Sequence, residues 1–167
     1  IDLGLEAAGF LPIVAVEKDP LARATLAANR PEWKLAAEPD AADFVASLSP
    51  KGLGLKAGEL DLLAGGPPCQ PFSKAAQWSD AGRRGTDDER AQCLDLMARA
   101  AIVLRPKLIL LENVPGFVTR PESGLARFRT ALSGGASGLR YSLHHTVLRA
   151  EQHGVPQLRQ RSFVVGV

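Results

Sequence analysis

The sequence has only two cysteines in 167 residues, Cys69 and Cys93. One stands in a Pro-Pro-Cys-Gln-Pro turn and the other inside a helical pattern, so no disulfide framework is expected and a reduced, cytoplasmic setting is. Charge of one sign is lacking too. The 20 Lys and Arg face 18 Asp and Glu, a formal net charge of +2, so any contact with nucleic acid has to come from local basic groups. No uncharged apolar run reaches the roughly 18 residues of a membrane span. The amino end carries neither a basic n-region nor a cleavage site, so transmembrane and secretory classes are not expected. Internal repeats, low-complexity tracts and linker-like composition shifts are absent, which points to one continuous domain. With 46% hydrophobic residues, the chain can bury one sizeable core and not two.

What is present is an alternation of short apolar runs and helical patterns. Residues 12–17 form an apolar run ending in an acid, followed by Asp19-Pro20, an N-cap and first-turn pair, and a helical stretch over 21–29. Residues 60–64 read as a buried strand stopped by Gly65-Gly66-Pro67-Pro68, which opens a long loop. From about Glu89 to Leu104 the pattern is helical, with Leu94, Met97, Ala98, Ala101 and Ile102 on one face, until Arg105-Pro106 ends it. Residues 108–111 read as a third strand, 125–132 as a helix, and 141–148 and 162–167 as two later strands. Such an order predicts an α/β fold, a mostly parallel sheet with helices on both faces. Asp2-Leu3-Gly4 invites reading as a strand entering a glycine loop, but only 14 residues separate Asp2 from Glu17. In dinucleotide-binding folds the acid that takes the ribose follows the loop by roughly 20 residues. Residues 1–8 are therefore expected as the helix after such a loop, with Gly9 as its stop.

Three segments carry chemistry. Gly65-Gly66-Pro67-Pro68-Cys69-Gln70-Pro71-Phe72-Ser73 follows a buried strand, and in open α/β sheets reactive groups sit at the carboxyl ends of strands. A lone cysteine is more often an inert core residue, but flanking prolines and glycines make this segment a turn. Glu112-Asn113-Val114-Pro115 ends another strand; by itself Glu112 is as readily a cap for the next helix. Gly154-Val155-Pro156-Gln157-Leu158-Arg159-Gln160-Arg161 leads into the last strand, and its two arginines suit carbonyl or phosphate oxygens. His144, His145 and His153 make no convincing metal-ligand set, since adjacent strand residues point to opposite faces.

Taken together, these segments resemble the cytosine-5 DNA methyltransferase family, whose Pro-Cys-Gln, Glu-Asn-Val and Gln-x-Arg-x-Arg motifs stand here in the family's order. The resemblance implies a Rossmann-like fold that takes S-adenosylmethionine, with Glu17 on its ribose, Asp40 near its adenine, and Pro67 in the cofactor site. It implies catalysis by Cys69, Glu112, Arg159 and Arg161, with Pro68, Gln70, Ser73, Asn113 and Gln157 contacting the substrate. Cys69 would attack C6 of a cytosine flipped from double-stranded DNA, Glu112 would serve N3, and Arg161 would hold O2. Residues 70–88 would form a lid over the base. No metal is implied. The family's Phe-x-Gly-x-Gly loop would precede Ile1, and its target-recognition region would follow Val167. The chain is therefore expected as a partial catalytic domain over residues 1–167, incomplete in its fold and binding cofactor weakly by itself, with a complementary chain as one source of the rest. Restriction-modification is the associated role. The alternatives are an RNA (transfer-RNA) cytosine-5 methyltransferase, a non-catalytic nucleic-acid-binding remnant or assembly half, and a thiol enzyme pairing Cys69 with a histidine.

Overall fold

The structure, a computed structural model, describes residues 1–68, 89–119, 123–133 and 140–167. Its first helix, α1 (Asp2–Ala7), stops at Gly9, whose φ of 89° suits a residue without a side chain. Helix α2 (Pro20–Asn29) starts where Asp19 Oδ1 accepts the Ala22 N–H at 2.8 Å, and Pro20 fills a first-turn position that needs no donor. Helix α3 (Ala41–Ser47), which the apolar periodicity did not mark, is capped in the same way by Asp40, which accepts from Ala42 N–H at 2.8 Å.

Residues 12–17 differ from the expected strand. They make a single parallel bridge, Ala15 to Leu35, with Ala15 N–H donating to Lys34 and Ala36 N–H donating to Ala15. A ladder grows only where a second extended segment runs alongside, and the other edge of this one faces a cavity.

The main sheet contains β1 (Leu62–Gly65), β2 (Leu108–Asn113), β3 (Leu143–Arg149) and β4 (Gln160–Gly166), in the order β1-β2-β4-β3. β1 and β2 pair in parallel, while β4 is antiparallel to both β2 and β3. Three strands therefore share one direction and β4 alone is reversed. The mostly parallel sheet is correct for strand direction and needs correcting for pairing. Residues 150–159 are the cause: a 3-10 turn over Ala150–His153 and Gly154 at φ 80° make a connection shorter than the dozen or so residues a parallel crossover needs.

Helix α4 spans Glu89–Leu104, as its periodicity predicts, and ends at Arg105, which takes a φ of 51° just before Pro106. With α5 (Gly116–Thr119) and α6 (Gly124–Ser133) it covers one face of the sheet. Leu94, Ala98 and Ala101 of α4, Phe117 of α5, and Leu125, Phe128 and Leu132 of α6 enclose Ile109, Leu111 and Val164. Burial alternates along β2 and β4, so Ile109, Leu111, Asn113, Ser162 and Val164 lie on this closed face. Leu108, Leu110, Glu112, Arg161, Phe163 and Val165 lie on the other, where none is buried. The core was expected under helices on both faces; among the described residues the buried cluster occupies only this one. No described helix is long and apolar enough to cross a membrane.

Candidate active site

Two strand ends meet at the carboxyl edge of the sheet. β1 runs into Gly66 and Pro67, and β2, parallel to it, runs into Glu112 and Asn113. The register explains how two neighbouring residues take different duties. Glu112 emerges on the open face and Asn113 on the closed one. Asn113, only 3% exposed, donates from Nδ2 to the Pro67 carbonyl at 3.0 Å and accepts the Val114 N–H on Oδ1 at 2.9 Å. Its side chain is thus used to tie the β1 loop to the end of β2.

On the open face Glu112 pairs with Arg161, whose Nε lies 2.9 Å from Oε1. Arg161 NH1 also donates to the Gln160 carbonyl at 2.8 Å, which braces the guanidinium from behind. Both side chains keep about a quarter of their surface in contact with solvent, 24% for Glu112 and 27% for Arg161, so a ligand can reach them. The other Glu112 oxygen, Oε2, sits against Gly66, where a Cβ would stand 3.2 Å away. A side chain there would press on the carboxylate and make it give by a few tenths of an ångström.

A cavity of about 960 Å³ opens from this edge along the free side of β1. It is lined by Val14, Val16 and Glu17 of the bridge segment and by Leu62, Ala64 and Gly66 of the main sheet. Glu17 is half-buried in it, and its Oε1 accepts the Asp19 N–H at 2.8 Å. Arg23 holds this rim in shape by donating to the carbonyls of Glu17 and Ala36 at 3.1 and 3.0 Å.

The sequence-predicted residues fall into groups. Glu112 and Arg161 are in contact, and Gly66 adjoins both Glu112 and the cavity that holds Glu17. Asp40 does not line that cavity; it caps α3 and pairs with Lys18 at 2.7 Å. The Lys18 hydrogen bond, and then the Ala42 N–H, hold its carboxyl below the usual carboxylate range. Arg159 and Gln157 are exposed just ahead of β4, and Pro68 is exposed after the half-buried Pro67. Cys69, Gln70 and Ser73, with the expected lid over 70–88, lie outside the described residues. The other cysteine, Cys93, is a half-buried free thiol in α4, pushed up by burial first and by Asp40 second. Ser162 was missed by the sequence reading. It is fully buried, and a polar residue on the apolar face of an alternating strand was the available signal.

Among known families, the model for the C-5 cytosine-specific DNA methylase matches residues 1–167. The chain is 33% identical over 171 residues to the Type II methyltransferase M.AquIA of Picosynechococcus sp., covering 99% of this chain and 66% of that protein. It is 37% identical over 168 residues to the Type II methyltransferase M.NgoMIV of Neisseria gonorrhoeae, covering 99% of this chain and 47% of that protein. The chain thus spans about two-thirds of one relative and about half of the other. A solved structure of a prophage-encoded E. coli protein, described as a DNA modification methyltransferase, superposes with a TM-score of 0.66 at 31% identity, over 92% of this chain and 39% of that one. The S. pombe Dnmt2 methyltransferase, at 20% identity and a TM-score of 0.59 over 92% of this chain and 41% of that one, shows the likeness of fold alone. These likenesses bear out the Rossmann-like methyltransferase fold.

Proposed function

This chain belongs to the C-5 cytosine-specific DNA methylase family, and from that premise we propose that it carries the cofactor- and cytosine-binding part of an enzyme that methylates C5 of cytosine in DNA. The observation that carries the reading is the Glu112–Arg161 pair at the end of β2, tied through Asn113 to the strand loop that leads to Cys69. A carboxyl and a guanidinium side by side offer what one edge of a cytosine requires, a group for N3 and a donor for O2. The cavity supports the cofactor. Its volume lies within the roughly 300–1,000 Å³ of small-molecule sites. Glu17 supplies a carboxylate able to accept two ribose hydroxyls, and Gly66 removes side-chain bulk at the end nearest Glu112. S-adenosylmethionine supplies a methyl group made electrophilic by its sulfonium.

The protein's own groups then account for the chemistry. C5 of cytosine is too weak a nucleophile to take the methyl group unaided. The Cys69 thiolate adds to C6, and the C5–C6 π electrons shift so that C5 gains enamine character while charge moves toward N3. Glu112 meets that charge with a hydrogen bond or a proton, and Arg161 holds O2. Once C5 carries the methyl group, its proton leaves to a base, the double bond re-forms, and the thiolate is expelled from C6. Both ring faces are covered in a duplex, so the base is flipped out before addition. Residues 1–167 form part of a larger catalytic domain in this reading.

The test is covalent trapping in the complete protein. DNA with 5-fluorocytosine at the target should become attached through Cys69, because fluorine does not leave as the C5 proton does, and Cys69→Ser should give no adduct. Glu112→Gln should slow turnover by roughly 10²- to 10⁴-fold while sparing most DNA binding. An adduct that maps to Cys93, whose thiol burial holds in its neutral form, would overturn the assignment.

A further inference from the structure

Arg161 and Ser162 are consecutive in β4 and leave the sheet on opposite faces. Arg161 reaches Glu112 on the open side, whereas Ser162 is completely buried on the side packed by α4, α5 and α6. A buried hydroxyl on the face that carries Leu111 and Val164 costs free energy unless it is bonded. This one is used at a single place. Ser162 Oγ lies 3.1 Å from the Asn113 carbonyl and 3.0 Å from the Val114 carbonyl, so one O–H is shared between two acceptors just where β2 ends. Asn113 is the last β2 residue paired with β4, opposite Ser162 itself, and beyond it the ladder no longer holds the chain. The same turn carries the Asn113 bond to Pro67 and the Val114 bond to Asn113. A path of direct contacts therefore runs from Ser162 through Asn113 to Pro67, two residues before Cys69, and Asn113 is covalently joined to Glu112.

We propose that Ser162 is a positioning residue for methyl transfer: by pinning the Asn113–Val114 turn from the closed face, it holds Glu112 and the approach to Cys69 in one fixed relation. The proposal rests on the family reading above. A misplacement of about 1 Å between reacting groups costs on the order of 100-fold in rate, so a turn fastened by one shared hydroxyl is a sensitive point even though it touches no substrate.

The experiment compares wild type, Ser162→Ala and Ser162→Thr in the complete protein, with methyl transfer measured against DNA and S-adenosylmethionine concentration. Amide hydrogen exchange at Val114 is followed in the same samples. Ser162→Ala should lower kcat by roughly 10- to 100-fold with little change in either KM, and should speed exchange at Val114. Ser162→Thr retains the hydroxyl and should recover most of kcat. A merely structural role would lower the melting temperature without separating kcat from KM. Unchanged kcat in Ser162→Ala, or a loss that Ser162→Thr does not recover, overturns the proposal. If wild type transfers no methyl group, the family activity is what has failed, and Val114 exchange alone then decides. Faster exchange in Ser162→Ala supports the pin, and unchanged exchange overturns it.

Discussion

In the first 60 residues only Trp33 and Ala36 are buried, and α1, α2 and α3 have no buried residue at all. From β1 to α6 and again in β4 the picture reverses, with Phe117, Phe128, Ile109 and Leu111 fully enclosed in a single cluster, while β3 stays mostly exposed. The two regions are held by different forces. The later one is held by apolar burial between the sheet and three helices. The earlier one relies on directed polar contacts: Arg30 on Glu6 through Nε and NH2, both at 2.9 Å, Arg30 over the Trp33 ring at 6.0 Å, the Arg23 bridge, and the Asp19 and Asp40 caps. Directed contacts can keep a cavity open where burial would close it. That suits a region whose proposed task is to admit a cofactor, beside a region that must hold Glu112 still.

The comparison can be broken from either side. Phe128→Ala should have the largest effect on stability, about 3–5 kcal/mol, because a fully buried ring leaves a cavity that its neighbours fill only in part. Denaturant unfolding measures it, and a loss below about 1 kcal/mol would mean that the cluster is not the source of stability. Asp19→Ala should cost about 1 kcal/mol in the same assay, the ordinary value of an N-cap on an otherwise unburied helix. If it matched Phe128→Ala, the earlier region would be as cooperative a part of the fold as the core. The smallest effect concerns pH. Asp40 is held below the usual carboxylate range by Lys18 and then by Ala42 N–H, so its folded pKa lies under its unfolded one. Its contribution is therefore present above the ordinary value of about 3.9 and is lost as pH falls through the lower folded value. Asp40→Asn keeps the cap but not the charge. Thermal melts taken from neutral pH into acid should show a shallower acid limb in that variant, and an unchanged limb would remove Asp40 from the account.

Much of the fold was legible because local rules coincide with tertiary ones. Helix α4 carries its apolar residues at helical spacing, and Arg105-Pro106 ends it for steric reasons that need no partner. Asp19-Pro20 announces α2 in the same way. Helix α3 was not legible, since it is short, half-exposed and set by the Asp40 cap more than by periodicity. The strand expected over 12–17 shrank to one bridge because a strand is defined by its neighbours. For the site, the motifs marked Glu112 and Arg161 as reactive, but their pairing at 2.9 Å depends on β4 lying beside β2.

The sequence by itself determined the boundaries of α2 and α4, the strand-end motifs and the family, because each rests on residue identity and short-range spacing. Only the tertiary structure decided which strands pair, that β4 inserts in reverse between β2 and β3, and that Asn113 and Ser162 turn inward while Glu112 and Arg161 turn outward. The reason is that a strand's register is set by partners distant in the chain, and shifting it by one residue exchanges every inward side chain for an outward one.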